Sequence, residues 1–356
     1  MRVGDVVIPV TVAGLMVLAS CGDGAARRPG ARTTADSGAT FFDRYVDGDG
    51  RVVRHDQGGD TVSEGQAYAM LLAVAAGDRD RFDRIWAWTQ EHLQRSDGLL
   101  AWRWSDGRVL DESPAADADV DAARALILAG RRFAAPHLIA DGKRLAAAVL
   151  EKETLKAGDR LVLAAGPWAV SRRIANPSYL APCAFDELGE ASGDSRWRTL
   201  RTSSYDLIAG LVNAGRLPPD WASVGDDGTL RPIGTPDAPD GPPHYGLDAA
   251  RLPFRLAEPC HGDGNRLAAQ LWKLLGASEG QGGAISYDLD GRRTVAQEHP
   301  AALVGAAAAA RAAGDAETAD ALTNRAAKLD SEHPSYYGAA WLALGDAVAR
   351  VSAGKS

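Results

Sequence analysis

The sequence predicts an all-α protein, an array of helical hairpins. Apolar residues recur at i, i+3, i+4 spacing over many helix-length windows. Gly-Asp or Gly-Ala stops close several of those windows. Strand-like and helical patterns nowhere alternate as a parallel sheet requires. No repeat of fixed period is legible, so a solenoid is not expected.

The N-terminus reads as targeting rather than fold. Residues 6–20, VVIPVTVAGLMVLAS, are an apolar run too short to span a membrane comfortably, and Cys21 follows. Leu18-Ala19-Ser20-Cys21 resembles the bacterial lipobox, where the signal is cut before a cysteine that then receives lipid. Residues 1–20 are thus expected to be a lipoprotein signal peptide and Cys21 the lipidation site. The alternative is an ordinary secretory signal. Residues 21–40, rich in Gly, Ala, Thr and Arg without apolar periodicity, read as a flexible tether. A domain over 41–350 and a tail over 351–356 follow. The expected location is extracytoplasmic, with the lipid as the only membrane contact.

Helical patterns then come in order: AYAMLLAVAAGD, RDRFDRIWAWTQEHLQ, DAARALILAGRRF, DGKRLAAAVLEKETL, RLAAQLWKLLGA, HPAALVGAAAAARAAGD, AETADALTNRAAKL and SYYGAAWLALGDAVAR. The nearly uncharged ones are expected inside, and those with Arg and Glu on one face outside. Short β-like pieces such as RVV and TLRPI sit between them. Residues 218–246 form a long Pro-, Gly- and Asp-rich excursion, which in a compact domain is either functional or mobile. A hydrophobic content of 46% supports a large core, and a net charge of −8 offers no basic face for nucleic acid. Nine Trp residues suit core packing or, in a sugar cleft, stacking. Beyond Cys21, Cys183 and Cys260 remain. They are either a disulfide or two buried thiols.

The chemistry-bearing residues are carboxylates at helix starts. Glu64 lies in the first turn of a helix whose Ser63 and Gln66 read as a capping box. Asp117, Asp119 and Asp121 precede an apolar helix. Asp248 starts a helix that also carries Arg251. Each has a plainer reading: a dipole-complementing charge, an N-cap, or an Asp248–Arg251 ion pair. A calcium loop is not supported at Asp117–Asp121, which lacks the turn glycine and closing Glu. At Asp47-Gly48-Asp49-Gly50, Arg51 and Val52 break the loop pattern, and a turn is expected. What joins the three helix starts is that glycosidic-bond hydrolysis needs two carboxyl groups, one protonated and one ionised. An array gathering its inner-helix N-termini at one end would bring distant carboxylates together.

TVSEGQAYAMLLAVAAGD, GLLAWRW, PAADADVDAARALILAGRRF, NPSYLAP, YGLDAARLPFR and PSYYGAAWLAL are similar, in that order, to the motifs of glycoside hydrolase family 8. The resemblance runs from about Phe41 to Val348. It implies an (α/α)6 barrel with an open substrate groove. It also implies an endo-acting, inverting enzyme that cleaves internal β-1,4 bonds in cellulose-type glucans, with xylan, mixed-linkage glucan or chitosan as alternatives. By motif, Glu64 matches the general acid and Asp117 the residue that binds the distorted sugar. Asp248 matches the general base, Tyr179 a tyrosine beside the attacking water, and Arg251 an arginine that steadies the base. Trp102 and Trp168 match sugar-stacking aromatics. An inverting pair stands roughly 6.5–9.5 Å apart. Ala116 replaces a Ser or Thr of the family pattern, Ala122 an Ile or Met, and Phe133 a Trp. No cofactor or metal is implied, and a monomer is expected.

Two rivals stand beside this reading. Gly276-Ala277-Ser278-Glu279-Gly280 fits G-x-S-x-G, but a nucleophile elbow needs strand–turn–helix, and here Ser278 follows a helix into a Gly-rich loop. The histidines show no zinc-binding pair at i, i+4. His244, close to Asp248, is read as lining the cleft or as structural. A catalytically silent polysaccharide-binding lipoprotein on the same fold is the other alternative. Retention of all three carboxylates argues against it.

Overall fold

The computed structural model of the chain describes residues 34–353. The signal peptide, Cys21 and residues 22–33 of the tether lie outside the described residues.

Thirteen α-helices occur among the described residues: α1 (Thr34–Tyr45), α2 (Ser63–Ala76), α3 (Arg79–His92), α4 (Ala116–Arg132), α5 (Pro136–Lys152), α6 (Pro167–Val170), α7 (Pro182–Ser192), α8 (Arg196–Asn213), α9 (Leu252–Ala257), α10 (Gly262–Leu275), α11 (Pro300–Ala312), α12 (Ala316–Glu332) and α13 (Tyr336–Ala353). Around the molecule α2 neighbours α4, then α4–α7, α7–α9, α9–α11, α11–α13 and α13–α2, which closes a ring of six inner helices. Each inner helix carries one outer partner: α3 on α2, α5 on α4, α8 on α7, α10 on α9, α12 on α11 and α1 on α13. This is the (α/α)6 barrel.

Sequence pattern decides which ring a helix joins. The α2 helix, SEGQAYAMLLAVAA, buries nearly every side chain because neighbours cover it on all sides. On α3, only the stripe Phe82, Ile85, Trp86, Trp88 and Thr89 is buried, while Arg and Asp face water. Each large apolar side chain in such a stripe contributes about 1.5–3 kcal/mol by leaving water. The inner helices meet closely where glycine allows it. A Cβ on Gly305 of α11 would stand 1.9 Å from the Ala250 carbonyl oxygen, so no larger residue fits there.

Among the described residues, eleven short strands form four small antiparallel sheets: β1 (Thr61–Val62), β2 (Arg103–Ser105) and β3 (Arg108–Asp111); β4 (Thr154–Ala157) and β5 (Arg160–Leu163); β6 (Ile174–Ala175), β7 (Trp221–Val224) and β8 (Leu230–Ile233); β9 (His244–Tyr245), β10 (Ala284–Asp288) and β11 (Arg293–Glu298). Strands β1, β3, β6, β9 and β11 come just before the inner helices α2, α4, α7, α9 and α11 in the chain. The sheets therefore edge the end of the barrel where inner-helix N-termini collect. The TLRPI piece is β8 at its core, whereas Val52 of RVV makes only an isolated bridge to Val46.

Several expectations need correction. The tether ends earlier than residue 40, because α1 begins at Thr34 and packs as the outer partner of α13. The tail is shorter too, because α13 runs to Ala353. There is no capping box at Ser63. Val62 takes the cap position, and Ser63 N–H donates to the Trp102 carbonyl at 2.9 Å. Gln66 turns inward, accepting from Val52 N–H at 2.6 Å and donating to Thr89 Oγ1 at 2.9 Å and the Gly50 carbonyl at 3.2 Å. Buried backbone groups of the 47–53 turn have first claim on that amide, since leaving them unpaired costs more than a cap contributes.

Cys183 and Cys260 form a disulfide with Cα atoms 5.6 Å apart. It ties the first turn of α7 to the segment after α9, across 77 residues of sequence. Closing a loop of that size stabilises a fold by roughly 2–4 kcal/mol. Ser278 lies in the loop after α10, its hydroxyl donating to the Leu275 carbonyl at 2.6 Å, as a loop serine would.

Candidate active site

Glu64 stands in the first turn of α2, Asp117 in the first turn of α4, and Asp248 at the start of a 3-10 turn that runs into α9. The barrel brings these three starts to one point, and Arg251 is the hub. Its Nη1 donates to Asp117 Oδ2 at 2.7 Å and its Nη2 to Asp248 Oδ1 at 3.0 Å. Nε and Nη2 both donate to Ser178 Oγ, at 3.2 and 2.8 Å, and the guanidinium carbon lies 5.1 Å from the Tyr179 ring centre. Asp248 and Arg251 therefore do pair, but the pair extends to Asp117 and is buried on the arginine side.

Asp248 has a second holder. Asn176 Nδ2 donates to its Oδ2 at 3.0 Å, while Asn176 Oδ1 accepts from Ser178 Oγ at 2.7 Å. The carboxyl is fixed by one donor on each oxygen, and about a third of its side-chain surface stays exposed (34%). Three carboxylates around one guanidinium cannot all ionise cheaply. Burial, then the Asp117 charge, pushes the Glu64 carboxyl up to about 7, against the pull of Arg251. Burial also raises Asp248, to about 6, with Asp220 and Asp117 adding and Arg251 and Asn176 opposing. Burial likewise holds the Tyr179 phenol well above its ordinary value, so it remains a hydrogen-bond donor.

Aromatic rings continue from this point. Tyr179 lies 6.4 Å from Trp221, and Trp221 lies 6.4 Å from Trp168, centre to centre. Arg172 covers the Trp168 ring at 5.5 Å. Trp102 is 37% exposed, unusual for so large a ring, and its carbonyl anchors Ser63 beside Glu64. A row of half-open rings flanking a carboxylate cluster suits stacking on sugar faces.

Of the aspartates on α4, only Asp117 faces the site. Asp119 accepts from Leu100 N–H at 2.9 Å, and burial, with the Asp117 charge adding, holds its carboxyl well above the usual carboxylate range. Asp121 is paired with Arg255. Both lie inside the helix rather than before it, and both are structural. Ala116 and Ala122 are fully buried, and Phe133 packs edge-on against Phe82 at 6.1 Å. His244 is half-buried, its Nε2 3.2 Å from Asp220 Oδ2.

Sequence reasoning missed four residues of the site: Asn176, Ser178, Asp220 and Trp221. The first two lie in the NPSY motif beside Tyr179, and their polar side chains before a buried helix were the available signal. Asp220 and Trp221 open the 218–246 excursion. Only its composition marked it, without separating those two residues from the rest.

Residues 26–256 match the family model described as glycosyl hydrolases family 8. The chain belongs to this family. A protein named "Probable endoglucanase" from Novacetimonas hansenii is 35% identical over 69% of this chain and 73% of its own length. An endoglucanase from Cellulomonas uda is 30% identical over 60% of each chain. Among solved structures, an endo-β-1,4-glucanase from Acetobacter xylinum superposes with a TM-score of 0.74 at 29% identity, covering 90% of this chain and 98% of that one. As a family 8 protein, the chain is a glycoside hydrolase with the (α/α)6 architecture traced above.

Proposed function

We propose that this protein is an extracytoplasmic endo-β-1,4-glucanase of family 8 that inverts the anomeric centre. The observation that carries the reading is the pair of unlike carboxyls. Glu64 is pushed up to about 7 away from direct contact with the cation, and Asp248 is held between Arg251 and Asn176. A raised carboxyl is suited to donate a proton, and a carboxylate fixed by two donors is suited to accept one.

In the proposed reaction Glu64 gives its proton to the glycosidic oxygen as the C1–O bond breaks. Water attacks C1 from the opposite face and loses a proton to Asp248. The new C1–OH bond has the opposite configuration, and the two carboxyls have exchanged protonation states. Asp117, fixed by Arg251, hydrogen-bonds the distorted sugar at the cleavage site. Tyr179 positions the water. Trp102, and Trp168 with its neighbour Trp221, stack on neighbouring sugars. The names of the endoglucanase relatives support a glucan as the substrate.

A substrate panel tests this. Carboxymethylcellulose should release reducing ends and lose viscosity early, the mark of internal cleavage, faster than xylan, mixed-linkage glucan or chitosan. Faster release from one of those three would reassign the substrate within the family. Binding without release from any of them would support the silent polysaccharide-binding alternative.

The location is proposed from the sequence alone. Thioether-linked lipid on Cys21, rather than a spanning helix, holds the protein at the membrane. Wild-type protein should fractionate with membranes and Cys21→Ser with the soluble fraction. Soluble wild-type protein bearing a free N-terminus other than Cys21 would overturn this.

A further inference from the structure

The segment that carries Asp248 is itself held by a side chain outside the family motifs quoted above. Asp220, at the head of the 218–246 excursion, is 7% exposed. Its Oδ1 accepts from two backbone N–H groups, Gly246 at 2.7 Å and Ala249 at 2.8 Å, which bracket Asp248. Its backbone N–H donates to the His244 carbonyl at 2.9 Å, and its Oδ2 meets His244 Nε2 at 3.2 Å. Gly246 is required by this embrace, because a Cβ there would stand 2.4 Å from Asp220 Oδ2. One carboxylate thus fixes both sides of the residue whose oxygens must meet the attacking water.

We propose that Asp220, backed by His244, is the positioning residue for the catalytic base, setting both the place and the basicity of Asp248. The inference rests on the reading of Asp248 as base. Among the described residues, the charged and titratable groups around the pair include the buried Tyr245, whose phenol is raised by burial with the Asp220 charge adding. Asp248 lies on one side and Arg251 beyond it. Asp288 stands opposite His244 in the β9–β10 register, with its carboxylate engaged by Arg292 at 3.1 Å. The negative charge of Asp220 raises Asp248, and Asp220 in turn raises His244, keeping the imidazole cationic at acidic pH.

The two partners therefore push Asp248 in opposite directions, and that is the test. Asp220→Ala removes the hydrogen bonds to the loop, so kcat should fall by roughly tenfold to a hundredfold with little change in KM, the pattern of a misplaced catalytic group. Asp220→Asn keeps an oxygen for the two N–H groups and should recover most of kcat. Its acid limb should move to lower pH, since losing a nearby negative charge favours the ionised carboxylate, but by less than about half a unit because His244 loses part of its cationic character with that charge. His244→Gln keeps a donor to Asp220 but removes the cation, so its acid limb should move to higher pH. Thermal melts of all three variants separate misfolding from misplacement, and Asp220→Asn remains informative if the alanine variant does not fold. Acid limbs that stay put in both Asp220→Asn and His244→Gln, or an Asp220→Ala enzyme with wild-type kcat, would overturn the proposal. If Asp248→Asn is fully active, the assignment of the base has failed instead, and the two failures are distinct.

Discussion

Glu64→Gln and Asp248→Asn should each lower kcat on unactivated β-glucan by roughly a hundredfold to ten-thousandfold, the range that positioned acid–base groups supply. An amide cannot give the glycosidic oxygen a proton, nor take one from water. Neither substitution should harm the fold, and the sign of the stability change can be worked out. Both carboxyls sit higher in the folded protein, at about 7 and about 6, than in an unfolded chain. The folded state therefore binds more protons than the unfolded one between roughly pH 4 and 7, and stability falls as pH rises through that window. At pH 7 and above, a neutral amide removes this penalty, so the melting temperature of either variant should hold or rise while activity collapses. In wild-type enzyme the two groups titrate as a coupled set, giving a bell-shaped rate profile. Loss of proton acceptance by Asp248 sets the acid limb, and loss of the Glu64 proton sets the alkaline limb. The narrow gap between them predicts a sharp optimum between about 6 and about 7. Full activity in either variant would remove that residue from its role.

Arg251→Met should lose both stability and activity. Asp117 is 5% exposed on its side chain and Arg251 2%, so removing the guanidinium leaves a buried carboxylate without its cation. Breaking a buried pair from one side costs about 3–5 kcal/mol. Asp248 loses the charge that opposes its upward shift, so whatever activity survives should show an acid limb displaced to higher pH. Arg251→Lys should not rescue it. One ammonium cannot reproduce donors aimed at Asp117, Asp248 and Ser178 from a planar fork. Thermal melts and kcat/KM profiles check both variants. An active Arg251→Met enzyme with an unmoved acid limb would show that Arg251 does not hold the base.

Much of this was legible in the sequence because long periodic helices announce themselves. The inner character of α2 and the outer character of α3 follow from where their charges fall. The helices α7 and α8 carry mixed faces and were not singled out. The strands are two to six residues long, too short for a period to register. Glu64, Asp117 and Asp248 stood out as carboxylates at helix starts, but no spacing in the chain could join positions so far apart. Only motif order did that. The misreading of Gln66 is of the same kind: a local pattern suited a cap, while the groups that claim the amide come from the turn at Gly50–Val52 and from Thr89. Asp220 was hidden because its role is to accept from backbone N–H groups, and backbone donors leave no pattern in side-chain chemistry.

The stereochemistry of the first-formed product tests the central claim most directly, that Glu64 and Asp248 act on opposite faces of one sugar with a water between them. Proton NMR of a β-glucan digest, recorded before mutarotation, should show the α-anomer appearing first and the β-anomer growing in only as the product equilibrates. A β-anomer formed first would mean a covalent, retaining route and would contradict the assignment of Asp248 as the base.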